Sequence, residues 1–310
     1  MGRALIESGS HVHGVDPALF GLPPGTSMRF ELPAGALAPC VSDYHVFDSD
    51  QAACTFSTET ILPRVPAIRF IIAPHAMNLT IGDGTAQTIP PAALYGSTSH
   101  AAEMAVGRGG VTIGVTMTAV GMARLTAIPA DSLRDRVVPL SAVLPAEPVR
   151  DLVDELRASD QGPSVKAILD RALPPLLAQP HPMEADIQRI ANLLAAPGRH
   201  TVQDACDHLG MNQRRLERLA KRFFGFTPKL LLRRTRLLRS IVALKLAGPP
   251  FDLSLIDSNY HDHSHFTKDA KRFLGKAPMR FLRKPTPYLD AALRARAIVQ
   301  GTAWAALQHQ

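Results

Sequence analysis

Basic side chains recur at the same positions in two stretches of the chain, residues 216–228 and 266–278. Both stretches contain the pattern A-K-R-F-x-G-x-x-P, and the second copy follows the first by 50 positions. Lysine and arginine side chains along one face of a helix can bind a polyanion such as the phosphate backbone of DNA. A pattern that returns at a fixed distance predicts two similar structural units.

The residues around the first copy predict two short helices with a tight turn between them. An apolar stripe at helical spacing runs through the copy, which predicts a helix that ends at Gly225 and a new helix that begins at Pro228. Upstream, residues 202–209 form a shorter apolar helix face, and Asn212 can cap the helix after the turn. This arrangement is a helix-turn-helix.

The basic side chains lie opposite the apolar stripe when each residue is turned by about 100° along the helix. A charge run on a single helix is often only a solvated face. Two such faces in one small region favour polyanion binding. The predicted DNA-binding side chains are Gln213, Arg214, Arg215, Arg218, Lys221 and Arg222 in the first unit, and His263, Ser264, His265, Lys268, Lys271 and Arg272 in the second.

Residues from about 185 to 282 resemble the paired helix-turn-helix domain of AraC/XylS-type transcription regulators. The matching motifs are A-x-x-L-G-M at 205–211, K-R-F-F-G-F-T-P at 221–228, Y-x-D-x-S-H-F at 260–266 and D-x-K-R-F-x-G at 269–275. The resemblance implies a sequence-specific DNA-binding regulator whose two units read successive major grooves. The N-terminal half also resembles, less closely, the N-terminal domain of one AraC-type subgroup.

This resemblance gives the predicted side chains separate roles. The expected base-reading side chains are Arg214 and Arg218 in one groove and His263, Ser264 and Lys268 in the next. The expected phosphate contacts are Lys221, Arg222, Lys271 and Arg272. Double-stranded DNA is the predicted partner. RNA polymerase, a small-molecule effector and a second copy of the chain are partners that the sequence leaves open, and no membrane is expected.

The sequence departs from the family pattern in several places, most of them in the second unit. Ala220 and Ala270 stand where the family usually has phenylalanine, and Asn259 replaces the usual turn glycine. Asparagine tolerates the left-handed backbone better than most residues. Residues 253–258 match the family's preceding helix poorly because serines occupy expected apolar positions.

The helix predicted at 228–246 joins the two units and carries arginines three residues apart. Arg233, Arg236 and Arg239 match arginines of the family. They either contact phosphates or brace the domain through contacts with neighbouring segments, and we slightly favour bracing.

The rest of the chain predicts an α+β protein. Short strand-like segments separated by turn signals favour a small β-barrel or sandwich, followed by a helical connector. The candidate strands are 28–32, 41–47, 54–61, 67–72, 77–81, 92–95, 102–106 and 111–117. The candidate connector helices are 120–125, 148–157 and 164–177. The predicted parts are a loose N-terminal arm at 1–24, a β-rich regulatory or dimerisation domain with its connector at 25–180, a DNA-binding domain at 181–284 and a tail at 285–310, with a helix at 288–299.

The uneven charge of the chain supports this division. The net charge of +7 combines +11 in residues 181–284 with −5 in residues 1–180 and +1 in the tail. A basic domain attached to a mildly acidic one indicates a polyanion binder joined to a part with another task.

The one competing prediction is a metal-dependent enzyme. His261 and His265 are four residues apart and could share a helix face, with Asp262 as a further ligand. The same residues also fall on family positions at the start of the second recognition helix, which needs no metal. Because the sequence offers no other catalytic set, we predict no enzyme, no cofactor and no metal.

The three cysteines, Cys40, Cys54 and Cys206, form no C-x-x-C pair and no disulfide framework. We therefore expect a cytoplasmic protein. The start of the chain lacks the apolar run of a secretory signal, and no stretch approaches the ~20 apolar residues of a membrane span.

Overall fold

The computed structural model describes residues 4–53, 58–105, 109–196, 198, 201–260 and 262–301. Within these ranges, ten strands form two antiparallel sheets, which we call sheet A and sheet B. The strands are β1 Thr26–Glu31, β2 Val41–Ser49, β3 Thr58–Ile61, β4 Ala67–Ile72, β5 Asn78–Ile81, β6 Gln87–Thr88, β7 Ala92–Tyr95, β8 Ala102–Ala105, β9 Gly110–Met117 and β10 Val137–Pro139.

Sheet A has the order β1-β2-β9-β4-β7-β10, and sheet B has the order β3-β8-β5-β6. Within the described residues the two end strands of sheet A do not pair with each other, so the sheets form a sandwich and not a closed barrel. All eight predicted strand positions contain a strand, although residues 54–57 and 106 lie outside the described ranges. The short strands β6 and β10 were not predicted.

Ten α-helices complete the described chain. They are α1 Ala119–Leu125, α2 Ala146–Ala158, α3 Val165–Leu176, α4 Glu184–Ala195, α5 Val202–Leu209, α6 Gln213–Phe224, α7 Pro228–Ala247, α8 His263–Leu274, α9 Pro278–Arg283 and α10 Pro287–Gln300. The three predicted connector helices correspond to α1, α2 and α3. None of the described helices is long and apolar enough to cross a membrane.

The central strands of sheet A are buried on both faces. One face carries apolar side chains such as Tyr44, Ile68 and Ile113, which belong to the main core together with the helices α1 to α6. The opposite face carries Asp43 and Arg69, which are also buried. On the central strands the apolar side chains of the main core alternate with side chains of the opposite face, several of which are polar, as the two-residue period of a strand requires. The burial of Asp43 and Arg69 was not evident from the sequence.

The prediction of a loose N-terminal arm is wrong for the described residues of the arm. Gly9 pairs with β1, because its N–H donates to the carbonyl of Met28 at 3.0 Å and its carbonyl accepts from Phe30 at 3.1 Å. Phe20 is fully buried in an apolar cluster that includes Ala291 and Ala295 of α10. Burial of such side chains offsets the entropy cost of ordering the segment.

The predicted helix of the tail is confirmed as α10, which contacts β1, β3 and α7. Its buried side chains include Tyr288, Leu293 and Val299. The tail therefore packs on both the sheets and the helical part of the chain. Trp304, the only tryptophan in the sequence, lies outside the described residues.

His45 on β2 is held uncharged by its surroundings. Its Nδ1 lies 3.0 Å from the Asp43 carboxylate, and a Cβ at Gly114 would meet its ring at 2.0 Å. Burial lowers the pKa of His45 to about 4, and nearby Arg69 and Arg296 act in the same direction, whereas Asp43 opposes the shift. The folded chain therefore favours the neutral imidazole.

The free energy of unfolding should fall by about 2–3 kcal/mol as the pH is lowered from about 6.5 to about 4. The unfolded chain binds a proton on His45 near pH 6.5, but the folded chain does so only near pH 4, so protons favour unfolding in that window. Urea unfolding of the native chain and of His45→Gln at several pH values measures the effect. The variant should show a flatter pH dependence; equal slopes for both proteins would contradict the assignment. The lowered pKa of Asp43 affects stability only at still lower pH.

Candidate nucleic-acid interface

The first predicted helix-turn-helix consists of α5 and α6. Thr201 accepts a hydrogen bond from the N–H of Asp204 and so caps α5, and Gly210 ends this helix with a left-handed φ of 61°. Asn212 then caps α6, because its side chain accepts from the N–H of Arg215 at 2.9 Å. Gly225 ends α6 with a φ of 83°, a conformation that glycine adopts without strain. Asn212 and Gly225 therefore begin and end α6 as the sequence predicts.

The second unit has the same construction around α8. The Asp262 side chain accepts from the N–H of His265 at 2.7 Å and caps α8, which ends at Gly275 with a φ of 69°. Ala270 is fully buried, as is its counterpart Ala220 in α6, so both alanines occupy the core positions expected of them. In both helices the apolar stripe faces inwards.

The departures of the second unit have structural consequences. Residues 253–258 contain only a short 3₁₀ helix, Leu253–Leu255, and its two leucines are exposed. Asn259 does not adopt the left-handed conformation that the family's glycine suggested. Instead its side-chain amide donates to the carbonyl of Gly198 at 3.0 Å, which links the second unit to the segment before α5.

All twelve predicted DNA-binding side chains are exposed. Six lie on α6 and six on α8, in both cases opposite the buried stripe. Within the described residues, no ion pair engages Arg214, Arg218, Lys221 or Lys268. These cations are available for a bound anion.

Two of the twelve side chains form hydrogen bonds with other described residues. Arg215 donates to the Asp186 carboxylate of α4 at 2.6 Å, and Gln213 donates to the Glu217 carboxylate at 3.0 Å. Arg215 therefore helps to attach α6 to α4. The two residues are 29 positions apart, and the sequence alone does not show that they lie close together in the fold.

The alternative metal site gains no support from the described part of the chain. No group of three histidine, cysteine, aspartate or glutamate side chains is placed to hold a metal ion there. Asp262 caps α8, and His261 lies outside the described residues.

Three of the four arginines of α7, Arg233, Arg236 and Arg239, brace the domain, which is the role that the sequence slightly favoured. The Arg239 guanidinium donates to three carbonyls at the end of α4, those of Leu194, Ala195 and Ala196, at 2.6–2.8 Å. Arg236 donates to the carbonyl of Asn259 at 3.2 Å. Each arginine thus joins α7 to a neighbouring segment.

Asp269 connects α8 to α7, a role that the sequence analysis did not predict. Its carboxylate is 2% exposed, and it accepts from Arg233 Nε at 2.9 Å and from the Tyr260 hydroxyl at 3.0 Å. Arg236 lies 3.7 Å from the same carboxylate. A lone acidic residue in a basic helix, one turn from the outward face, was the signal that could have identified it.

The sequence also did not predict a basic groove between the two units. It lies between α7 and the beginning of α8, and its cationic side chains include Lys229, Arg233, Arg236 and Lys268. Lys229 is exposed in the first turn of α7. The carboxylates of Asp257 and Asp269 also line the groove and balance part of its positive charge.

The sheet-bearing part of the chain contacts both reading helices at their C-terminal ends. The N–H of Ala130 donates to the carbonyl of Arg222 in α6 at 2.7 Å, and the N–H of Ala101 donates to that of Phe273 in α8 at 2.7 Å. Arg134 lies over the ring of Phe226, just after α6. These contacts leave the N-terminal turns of both helices exposed.

Comparison with known proteins agrees with this geometry. Residues 205–284 match a family model described as a helix-turn-helix domain, and the matched range includes α6, α7 and α8. Comparison with curated proteins returned no match.

The chain is also similar to several solved structures. A structure of ToxT from Vibrio cholerae has 13% identity and a TM-score of 0.42, with 77% of this chain and 97% of ToxT covered. A structure of ToxT with bound unsaturated fatty acid has 15% identity and a TM-score of 0.42, with 73% and 91% covered. The AraC-like transcriptional activator CuxR has 14% identity and a TM-score of 0.26, with 70% and 86% covered. Because these values are low, the similarity to these structures carries no argument about function.

Proposed function

We propose that this chain is a DNA-binding transcription regulator of the AraC/XylS type and that it reads two successive major grooves with α6 and α8. Residues 205–284, which match the helix-turn-helix family model, contain both helices. The supporting observation is the pair of capped helices, each with a buried apolar stripe and an exposed basic face. They are joined by α7, a helix of 20 residues that spans about 30 Å. Successive major grooves on one face of DNA are ~34 Å apart, so one rigid helix suits the distance.

Base reading is assigned to the first two turns of each helix. Arg214 and Arg218 of α6 have no ion-pair partner among the described residues, and arginine recognises guanine through two hydrogen bonds. His263, Ser264 and Lys268 take the same part in α8. Side chains near the C-terminal ends, Lys221 and Arg222 in α6 and Lys271 and Arg272 in α8, are assigned to phosphates. Phosphate contacts add affinity without sequence preference.

Arg218→Ala should relax the preference at one base position and cost about 1–3 kcal/mol on the selected sequence. Lys221→Ala should instead weaken binding to all sequences by a similar factor and lower the slope of log affinity against log salt by about one. Fluorescence anisotropy with duplexes selected from a random pool, and with unselected duplexes, measures both effects at two salt concentrations.

Arg150→Ala is the matched control, because Arg150 is an exposed arginine of α2, far along the chain from the predicted interface. It removes one positive charge and should leave both affinities unchanged. If Arg218→Ala and Lys221→Ala lost affinity equally on selected and unselected DNA, the division of roles would be wrong. Absence of salt-dependent binding by the native chain would reject DNA binding itself.

RNA polymerase and a second copy of the chain stay predictions as partners. The same duplexes can test the second copy, because a two-fold assembly would bind DNA with two chains per site. The proposed domain boundaries, after residues 24, 180 and 284, likewise stay predictions.

A further inference from the structure

The tail helix α10, which lies beyond the matched residues 205–284, contributes side chains to two different apolar clusters. Leu293 packs in the cluster of α7, α8 and α9, together with Leu238 and Phe281. A second stripe of the helix packs on the N-terminal arm and β1, and its spacing keeps it on one side of the helix. The side chains of this stripe are Tyr288, Ala291, Ala295 and Val299. The helix therefore joins the sheet-bearing part to the helices of the second unit.

Ion pairs fasten α10 on both of these sides. Arg296 Nη2 lies 3.3 Å from the carboxylate of Asp43 on β2. The carboxylate of Asp290 lies 3.0 Å from Nζ of Lys245 on α7, whose side chain is 4% exposed. Both pairs include a buried partner, so water screens them less than it screens an exposed pair. These contacts hold α10 to β2 and to α7 at the same time.

The two helix-turn-helix units are attached to the sheets in different ways. The first unit shares the main core, because Leu216 of α6 belongs to the same cluster as Ile113 of β9. The second unit forms a separate cluster around Phe273 of α8. Among the described residues, the buried members of that cluster from outside α7, α8 and α9 are Leu62, after β3, and Leu293 of α10. The second unit therefore depends on α10 for much of its attachment.

The other contacts of the second unit with the sheets include polar ones. The N–H of Ala101 donates to the carbonyl of Phe273, as described above, and Lys284 donates to Glu103 at 3.1 Å and to Thr60 at 3.0 Å. Glu103 is an exposed residue, and exposed ion pairs stabilise a structure only slightly. These contacts alone give a weaker attachment than the two-sided packing of α10.

The face of sheet A that α10 covers contains a buried charge without a hydrogen-bond partner. Arg69 of β4 is 1% exposed, and none of its three guanidinium nitrogens has such a partner among the described residues. The ring of Tyr95, 5.3 Å from its guanidinium carbon, provides a cation–π contact. Arg69 and α10 line the same cavity of about 120 Å³. Burial of a cation without a paired anion is costly.

Other charged groups line the same cavity and are only partly paired. They are three arginines and two carboxylates, when Arg64 and Arg296 are counted with Arg69, and Asp43 with Glu59. Glu59 accepts from the backbone N–H of Tyr288 at 2.9 Å. In contrast, Oδ2 of Asp43 and Nε of Arg296 have no hydrogen-bond partner among the described residues. The closed position of α10 thus gains apolar contacts and ion pairs but buries several unpaired polar atoms.

We propose that α10 is a detachable strap, closed in this structure, that fixes the second helix-turn-helix unit against sheet A. The strap opens at the link of residues 284–286, which joins it to α9. Opening gives water access to Arg69 and to the other unpaired polar atoms, and this hydration offsets part of the apolar contact that is lost. The strap therefore opens at a lower free energy than the cores unfold.

The state of the strap affects DNA recognition through α7 and α8. The closed strap restricts the motion of both helices relative to the sheets and to α6. A second unit that is already held in place loses less freedom when it binds DNA, so closure favours binding to two boxes. This consequence rests on the proposed DNA-binding function, whereas the opening of α10 does not.

Native-state hydrogen exchange of the full chain tests the opening. Amides of residues 288–299 in α10 should exchange at least tenfold faster than those of β9. Their rates should hardly change with low concentrations of urea, because a local opening exposes little surface. If α10 exchanged at the rate of β9 and with the same dependence on urea, it would open only when the whole chain unfolds, and the proposal would be overturned.

Arg69→Met separates a strap from simple fraying of a terminal helix. The replacement keeps an apolar side chain of similar length and removes the buried charge that opposes closure. Exchange in α10 should therefore become at least fivefold slower, whereas fraying that is independent of the covered face would not change. Unchanged or faster exchange of α10 in a folded Arg69→Met would reject the role of this charge and with it the strap.

Ala295→Glu should open the strap and decides the question if Arg69→Met fails to fold. Ala295 is fully buried in the cluster of the arm and β1, so a glutamate at this position pushes α10 away. Exchange in α10 should rise at least tenfold over that of the native chain while β9 stays protected. Ala297→Glu is the matched control, because Ala297 is only partly buried and belongs to neither cluster. It should change the rate less than twofold; equal rates for both variants would contradict the proposal.

Binding of the same variants to DNA tests the consequence for recognition. Ala295→Glu should bind a duplex with both selected boxes at least fivefold more weakly than the native chain or Ala297→Glu. All three should bind equally to a duplex that contains only the first box. Native affinity of Ala295→Glu for both boxes would overturn the link between strap and recognition. The exchange experiments contain no DNA, so a native chain that failed to bind DNA would reject the proposed function and leave the opening of α10 standing.

Discussion

Replacement of Asp269 by alanine should lower the free energy of unfolding by about 2–4 kcal/mol and abolish recognition by the second helix-turn-helix unit. The Asp269 carboxylate is buried and joins α8 to Arg233 of α7 and to Tyr260. Its loss leaves Arg233 and the half-buried hydroxyl of Tyr260 without this acceptor. It also removes the ion pair with Arg236, which keeps the carbonyl of Asn259. The two arginines are 30% and 26% exposed and can turn to water, which keeps the cost below that of a fully buried pair.

Urea unfolding measures the stability change, and footprinting on selected DNA measures the loss of the second box. Asp207→Ala is the matched control: Asp207 is an exposed carboxylate of α5 that accepts from Gln203 one helical turn away. Its replacement should change stability by no more than about 0.5 kcal/mol and leave both boxes protected. If Asp269→Ala kept its stability and both boxes, the carboxylate would not be the connection between α8 and α7.

The parts of the fold that the sequence predicted are those set by local signals. Gly225 and Gly275 both end their helices in the left-handed conformation, and Asn212 caps α6 as expected. Strand positions followed from short apolar segments between turns. These features depend on residues within a few positions of one another, so the chain specifies them without tertiary contacts.

The parts that could not be predicted depend on contacts between distant residues. Phe20 belongs to a core because α10, some 270 positions later, lies over it. The 3₁₀ helix before α8 replaced a full helix because the serines there give it no apolar face to bury. Sequence patterns report the period of a segment, but they do not report which distant segment covers it.

The candidate site shows the same division. The exposed faces of α6 and α8 were predicted from helical spacing. The exposure of all twelve predicted DNA-binding side chains agrees with that spacing. The pairing of Arg215 with Asp186 and the buried position of Asp269 were not predicted, because each joins two helices. The assignment of base and phosphate contacts stays a prediction, since it concerns a partner that lies outside the chain.

Insertion of five base pairs between the two selected boxes should reduce affinity to that of a single box, by about a hundredfold. Five base pairs turn the second box by about half of the 10–10.5 base pairs of a helical turn, to the opposite face of the DNA. The chain has little freedom to move α8 to the displaced second box. α7 is continuous over 20 residues, and hydrogen bonds from Ala130 and Ala101 hold the ends of α6 and α8 to the sheet-bearing part.

Insertion of ten base pairs separates a rigid connection from a flexible one. It returns the second box to the same face but moves it by about 34 Å, more than a helix of about 30 Å can follow. Affinity should therefore stay low, whereas two units on a flexible linker would regain most of it. Anisotropy titrations with the three duplexes, and with a duplex whose second box is scrambled, measure the difference. If the five-base-pair insertion had no effect, α8 would bind as an electrostatic clamp without reading sequence, and two-groove recognition would be wrong.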